Sequence, residues 1–230
     1  MSNFDQFSRP SDLNQSTQLV RNKVLRNTYM LLALSLVPTV IGAVLAMQLN
    51  LFVGMSPWIS MIIFFAGAFG LMYLIEKNKH SSMGIAFLLL FTFFMGMMLS
   101  RILTVVLSMS NGGDIVTMAF GGTAVIFAVM AGIATTTKRD FTFMNKALMI
   151  GVIVVILAAI ANIFLQMPAL TLTIASLAVI IFSLLMLVDI QRIVNGGETN
   201  YISATLALYL DIYNVFVSLL QILGIVGGDD

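Results

Sequence analysis

The chain has 230 residues, of which 60% are hydrophobic and only 9% are charged. A soluble domain carries about 25% charged residues, so this composition is typical of a protein embedded in a lipid bilayer. The net charge of +1, without a basic stripe, gives no reason to expect a nucleic-acid partner. The chain has no cysteine and one histidine, which excludes disulfides, thiolate catalysis and most imidazole chemistry.

Seven apolar runs organise the chain after a polar stretch at residues 1–24, which is predicted to be a flexible N-terminal tail. Each run is long enough for a membrane-spanning helix of about 20 residues. The runs cover 28–47, 55–75, 82–108, 115–136, 147–166, 168–193 and 201–226. The sequence therefore predicts an all-α membrane protein, with a seven-helix bundle over residues 25–226 and a short external C-terminus at 227–230. Pro168 predicts a tight hairpin between the fifth and sixth spans.

Lysine and arginine residues predict the orientation of this bundle. Ten of the eleven lie before the first apolar run or in and next to the second-to-third, fourth-to-fifth and sixth-to-seventh connections. Since cytoplasmic connections retain positive charge, the N-terminus is predicted to be cytoplasmic and the C-terminus to lie on the other side. The remaining basic residue, Arg101, lies roughly 28 Å from the cytoplasmic start of its span and is expected near the outer face, towards Asp114.

Two aspartates lie within the predicted spans, where ionisable groups are costly and often functional. Asp211 lies roughly 15 Å into the seventh span, and Asp189 lies one to two turns from the cytoplasmic end of the sixth. At these depths the two carboxyl groups could meet, share one proton at low pH and repel each other when it leaves, as a pH-responsive latch. Their ionised oxygens would also suit a transient Ca²⁺ ion. Alternatively, Asp189 is an interfacial residue that pairs with Arg192 at i+3.

A polar stripe runs along the seventh span. On a helical wheel its members share an arc of about 80°: Ser203, Asp211, Asn214, Ser218 and Gln221. A helix facing lipid would not carry such a stripe, so the seventh helix is predicted to be central or to line a water path. The alternative is that the stripe only packs helices together.

No catalytic constellation is present in the sequence, so the chain is not expected to be an enzyme or to hold a resident cofactor. The nearest match to an intramembrane aspartyl protease element is Gly112-Gly113-Asp114, in a predicted outer connection. The seventh span has no lysine for a retinal Schiff base. No zinc-protease, nucleophile-elbow or phosphate-loop motif occurs.

The last two spans resemble a known family. The segment YISATLALYLDIYNVFVSLLQILG from Tyr201, following LMLVDIQRIV around Asp189, is similar to the signature of the Bax inhibitor (TMBIM, UPF0005) family. Four further segments are similar to bacterial inner-membrane members that bind the protease FtsH: KVLRNTY at 23–29, GGTA at 121–124, ANIFLQMPAL at 161–170 and GGETNYI at 196–202. The resemblance covers nearly the whole chain.

The resemblance implies two functions. The first is a bacterial inner-membrane modulator of FtsH, acting as inhibitor or substrate, whose polar tail is a handle for an ATP-driven protease. The alternative is a pH-gated calcium leak channel, with Asp189 and Asp211 at the positions of the family's paired-aspartate sensor. The family pattern also uses an arginine near the inner end of span two to hold the closed state. This sequence offers Lys77 and Lys79 there, and Arg192 beside Asp189, as a possible latch.

Overall fold

The architecture is taken from a computed structural model, which describes residues 10–52 and 54–227 and, for side chains, residues from Arg21 onward. Over this part of the chain there are seven long helices, one short 3₁₀ turn at Thr142–Met144 and no strand. The helices are α1 (Pro10–Gln48), α2 (Pro57–Lys77), α3 (Ser82–Leu107), α4 (Gly112–Thr136), α5 (Asn145–Leu165), α6 (Pro168–Val194) and α7 (Tyr201–Gly227). All seven are long and apolar enough to cross a membrane, which confirms the predicted bundle.

The first helix begins earlier than the sequence suggests. α1 has 39 residues and starts at Pro10, inside the stretch predicted to be a flexible tail. Proline favours the first position of a helix, because its fixed φ angle suits the helix and its missing N–H is not needed there. At 1.5 Å per residue α1 is about 58 Å long, roughly twice the hydrocarbon thickness of a bilayer. The predicted divisions at residues 24 and 227 stay predictions, and residues 1–9 and 228–230 lie outside the described residues.

Short connections make successive helices antiparallel and give the bundle two distinct ends. We call the end with the α2–α3, α4–α5 and α6–α7 connections the basic face, and the other end the distal face. The α5–α6 connection on the distal face confirms the predicted hairpin: Gln166 adopts a left-handed conformation and α6 starts at Pro168. The Asn162 side chain fixes the turn, since its amide donates to Thr171 Oγ1 at 2.7 Å and its oxygen accepts from Met167 N–H at 3.1 Å.

α1 and α3 pack closely because glycines at their crossing remove side-chain bulk. A Cβ atom on Gly96 would overlap the backbone of Thr39, and one on Gly42 would overlap the backbone of Phe93. Small residues at a helix crossing allow backbones to approach closely inside a membrane, where van der Waals packing drives helix association. This crossing fixes α1 to α3 over the middle of the bundle.

α6 and α7 pack against each other and form much of the protein interior. α7 also contacts α1, α3 and α4, while α6 also contacts α1, α4 and α5. Both helices bury long runs of side chains, as at residues 185–188 and 204–206. Since α6 shares this inner position, the expectation that α7 is the central helix stays a prediction.

Hydroxyl groups form hydrogen bonds between helices in the middle of the bundle, where α1, α3 and α7 meet. The Thr39 hydroxyl donates to Ser35 O at 2.9 Å and accepts the Tyr209 hydroxyl at 2.9 Å. Tyr213 donates to Met95 O at 3.2 Å. Buried polar groups must find such partners, so these bonds fix the rotation of α7 relative to the other two helices.

Candidate functional site

The two aspartates predicted to meet do so between α6 and α7. Counted from the basic-face ends of their helices, Asp189 is five residues deep and Asp211 ten, a difference of roughly 7 Å in depth. Helical side chains lean towards the N-terminus of their own helix. Because α6 and α7 run in opposite directions, Asp189 leans into the bundle and Asp211 leans back towards the basic face. The two carboxyl groups therefore come within hydrogen-bonding range of each other.

The two carboxyl groups have unequal surroundings. Asp211 is only 4% exposed, and its Oδ2 atom has no hydrogen-bond partner among the described residues. The Asp189 side chain is 16% exposed, and its Oδ1 atom lies 3.6 Å from Arg192 Nη1. Asp189 thus lies beside both of its predicted partners, Arg192 at i+3 and Asp211, and its function stays a prediction. The site therefore consists of the deeply buried Asp211 carboxyl group and the Asp189 carboxyl group, which pairs with Arg192 closer to the basic face.

The possible latch residues have different partners. Arg192 reaches the aspartate pair, whereas Lys79 Nζ pairs with Glu76 Oε1 at 2.9 Å at the end of α2. The hydrogen bond to Glu76 raises the pKa of Lys79 above its usual value. Lys77 is exposed and forms no ion pair within the described part of the chain. Of the three candidates, Arg192 alone contacts an aspartate of the pair.

A second set of contacts joins the α2–α3 connection to the start of α7. Glu76 Oε2 accepts the Ser203 hydroxyl at 2.9 Å, and the Asn200 amide donates to Lys79 O at 2.7 Å. The Asn200 side-chain oxygen also accepts the backbone N–H groups of Ile202 and Ser203, so it caps the helix that carries Asp211. The basic-face end of α7 is therefore held both by its own cap and by the end of α2.

Gln191 forms a contact that sequence reasoning missed. Its side chain is 2% exposed; its amide donates to Arg139 O and its oxygen accepts from Phe141 N–H, each at 2.8 Å. This residue lies between Asp189 and Arg192 along the helix, so the segment that carries the pair also holds the α4–α5 connection. No sequence signal identifies this contact, because both partners are backbone groups about 50 residues away. In contrast, Asn200 could have been found as a helix cap directly before an apolar run.

The polar stripe of α7 faces protein rather than open surface. Asp211 and Ser218 are buried, while Ser203, Asn214 and Gln221 are half-buried. Ser203 contacts α2, and Asn214 donates to Leu210 O within its own helix at 2.8 Å. The structure thus brings Asp189, Asp211 and Arg192 together, and leaves Asn214, Ser218 and Gln221 further along α7, towards the distal face.

The chemistry available to the aspartate pair is proton sharing and brief contact with a cation. Calcium takes about six to eight oxygen ligands, and two carboxylates supply at most about four of these. Within the described residues no third histidine, cysteine, aspartate or glutamate completes a metal-binding group. The Arg192 guanidinium beside Asp189 also opposes a resident cation. The residues present therefore fit a transiently bound ion better than a permanent metal.

Comparisons with known proteins agree with the resemblance in the last two spans. Residues 21–228 match the family model described as "Inhibitor of apoptosis-promoting Bax1". The chain is 42% identical to "Modulator of FtsH protease YccA" of Escherichia coli strain K12 over 219 residues, which is 95% of this chain and 97% of the relative. The same identity and coverage hold for "Inner membrane protein YccA" of E. coli O6:H1.

A relative from Vibrio cholerae extends the match to almost every residue. It is described as an "Uncharacterized membrane protein" and is 40% identical over 228 residues, covering 99% of this chain and 100% of the relative. None of these three names describes an enzyme, and all three relatives match the seven-span chain over nearly their full length. The protein is a multi-pass membrane protein that belongs to the Bax inhibitor family.

Proposed function

We propose that this protein modulates the membrane protease FtsH in a bacterial inner membrane. The observation that carries this proposal is the 42% identity to the E. coli FtsH modulator over 97% of that relative. A match over 95% of this chain is long enough to include all seven spans, which supports a shared mode of action.

The proposed orientation places the N-terminus in the cytoplasm and the C-terminus in the periplasm. Support comes from the α2–α3, α4–α5 and α6–α7 connections, which share the basic face with the N-terminal half of α1. These connections and the helix ends next to them carry Lys77, Lys79, Lys138, Arg139 and Arg192. The part of α1 that extends beyond the bilayer would lie on this cytoplasmic side. Isolated helices shorter than about 12–15 residues are marginal in water, so an ATP-driven protease could unwind this segment and pull on it. The bundle behind it would then resist extraction and occupy the enzyme.

The test is the degradation of a membrane substrate by FtsH in proteoliposomes, with and without this protein. Wild-type protein should slow the degradation and co-purify with FtsH. Deletion of residues 2–20 should remove both effects, while a Gly-Ser segment of the same length should restore them if only an unwound handle is needed. Unchanged substrate degradation in the presence of wild-type protein would refute the proposal.

A second candidate function is a pH-gated calcium leak, favoured by the contact between the Asp189 and Asp211 carboxyl groups. A shared proton would hold α6 and α7 together at this point, and its loss would place two like charges in a poorly solvated site. The resulting repulsion would separate the helices next to the basic face. Carboxylates freed in this way could then contact a passing cation.

This second function is tested by calcium entry into dye-loaded liposomes at pH 6 and pH 8. A leak through the aspartate pair should increase with pH in wild-type protein and respond to Asp211→Asn. Asp114→Asn is the matched control, because Asp114 is exposed in the first turn of α4 and distant in sequence from the pair. A calcium flux that is the same in all three proteins would remove the aspartate mechanism.

A further inference from the structure

A small cavity lies at the distal face, between the end of α1 and the last turns of α3. Its volume is about 120 Å³, which is room for several water molecules. Met47 and Phe52 form part of its apolar wall, and its polar wall consists of Asn50, Ser100, Arg101 and Thr104. Arg101, which lies far from the basic face, thus borders a cavity.

Some polar side chains at this cavity form hydrogen bonds within α3, and others have donors without a partner among the described residues. The Ser100 hydroxyl donates to Met97 O at 2.6 Å, and the Thr104 hydroxyl donates to Ser100 O at 2.8 Å. The donors of these two hydroxyls are therefore taken up within α3. Neither the Arg101 guanidinium nor the Asn50 amide forms a side-chain hydrogen bond with any described residue. A positive charge with free N–H groups on one side and an amide on the other is suited to an anion.

The backbone at the end of α1 places Asn50 at the cavity. Asn50 has a φ angle of 51°, in the left-handed region, and its N–H donates to Met47 O at 3.2 Å. Leu51 N–H donates to Ala46 O at 3.1 Å, which completes a Schellman motif with Asn50 at its left-handed position. Glycine is the usual residue there, and asparagine tolerates the conformation while adding a side chain. The helix end therefore positions a polar group that the turn itself does not need.

Arg101 lies close to the distal end of α3. Arg101 is six residues before the end of α3, or about 9 Å below it by helical rise. A long arginine side chain at this depth extends from the apolar region to the membrane interface. Its guanidinium is exposed, and the ion pair expected with Asp114 is absent from the described structure. In a bilayer that this bundle spans, the charged group would therefore reach the zone of the phospholipid phosphates.

We propose that this cavity binds the phosphate group of a phospholipid from the adjacent leaflet, with Arg101 and Asn50 as donors. A guanidinium matches phosphate oxygens with two parallel hydrogen bonds, and the amide of Asn50 supplies a further donor. Met47 and Phe52 would contact the glycerol and the first acyl carbons. The bound lipid would join the end of α1 to α3 and supply the anion that Arg101 lacks within the described residues.

The test is native mass spectrometry of the purified full chain with added phosphatidylglycerol. Arg101→Gln should weaken lipid binding about tenfold, the effect of losing a charged hydrogen bond. Arg139→Gln is the matched control, because it removes the same charge from the basic face and should bind lipid like wild type. Asn50→Gly is the second variant, since glycine favours the left-handed position and the fold should persist while lipid binding weakens.

Three results would overturn the proposal. Wild-type lipid affinity in Arg101→Gln would show that the guanidinium does not hold the phosphate. If Arg101→Gln does not fold, wild-type affinity in Asn50→Gly would reject the cavity as the lipid site. Competition by inorganic phosphate at the same concentration as the lipid would show that the cavity takes a free anion instead.

Discussion

Replacing Asp211 by asparagine is expected to stabilise the protein at high pH and to reduce the pH dependence of its stability. A proton shared between Asp211 and Asp189 would satisfy both carboxyl groups at low pH, and its loss would leave two like charges beside each other. An asparagine amide keeps the size of the side chain and donates a hydrogen bond to Asp189 at every pH. The variant therefore resembles the protonated pair, and it should differ from wild type only where that proton is lost.

The magnitude follows from the contact that is lost. A buried hydrogen bond to a charged group contributes about 1.5–3 kcal/mol, and Asp211 is only 4% exposed, so solvent screens it little. Taking about 2 kcal/mol, and about 2–4 °C per kcal/mol for a chain of this size, the midpoint of thermal unfolding should differ by roughly 4–8 °C at high pH. At low pH the two proteins should unfold at nearly the same temperature.

The assay is thermal unfolding of the protein in detergent micelles at several pH values between 5 and 9. The wild-type midpoint should fall as the pH rises, while that of Asp211→Asn should stay level. Asp114→Asn should keep the wild-type dependence on pH, because Asp114 is exposed at the start of α4. Parallel pH profiles for wild type and Asp211→Asn would refute the reasoning, since the shared proton would then contribute nothing.

Three further substitutions test other contacts by thermal unfolding. Gly96→Ala should lower the free energy of unfolding by about 1–3 kcal/mol, because the added Cβ overlaps the α1 backbone. Gly121→Ala is the control and should change stability little, since Gly121 has open space around it. Equal effects of the two substitutions would reject the close crossing. Gln191→Leu should cost a similar amount and speed amide exchange at Phe141, and unchanged exchange there would show that the amide does not hold the connection. Tyr209→Phe should cost about 1 kcal/mol by removing the hydrogen bond to Thr39, and wild-type stability would show that this bond is replaced.

Most of the fold could be predicted because bilayer thickness sets the length of an apolar helix. The predicted sixth span at 168–193 and the observed α6 at Pro168–Val194 differ by one residue, since proline marks the start. The start of α1 could not be predicted in the same way. Residues 10–24 are polar, and helical structure outside a membrane leaves no apolar run to reveal it.

The candidate site was predictable in part, for an equally physical reason. Charged residues are rare in apolar spans, so Asp189 and Asp211 were conspicuous, and their depths suggested contact. The cavity beside Arg101 was not predictable, because the sequence does not show that α3 packs on α1. For the same reason the sequence suggested Asp114, which follows soon after in the chain, as the partner of Arg101.

The position of α7 after the helices that it contacts has a consequence for biogenesis. α7 is the least apolar of the seven spans and carries the buried Asp211. Inserting α7 into lipid without the other helices would be energetically unfavourable, because the groups of its polar stripe would find no hydrogen-bond partners there. Since synthesis runs from the N-terminus, α1, α3, α4 and α6 have all left the ribosome before α7 emerges. α7 can therefore insert against an assembled protein surface, and Asp211 need never face lipid.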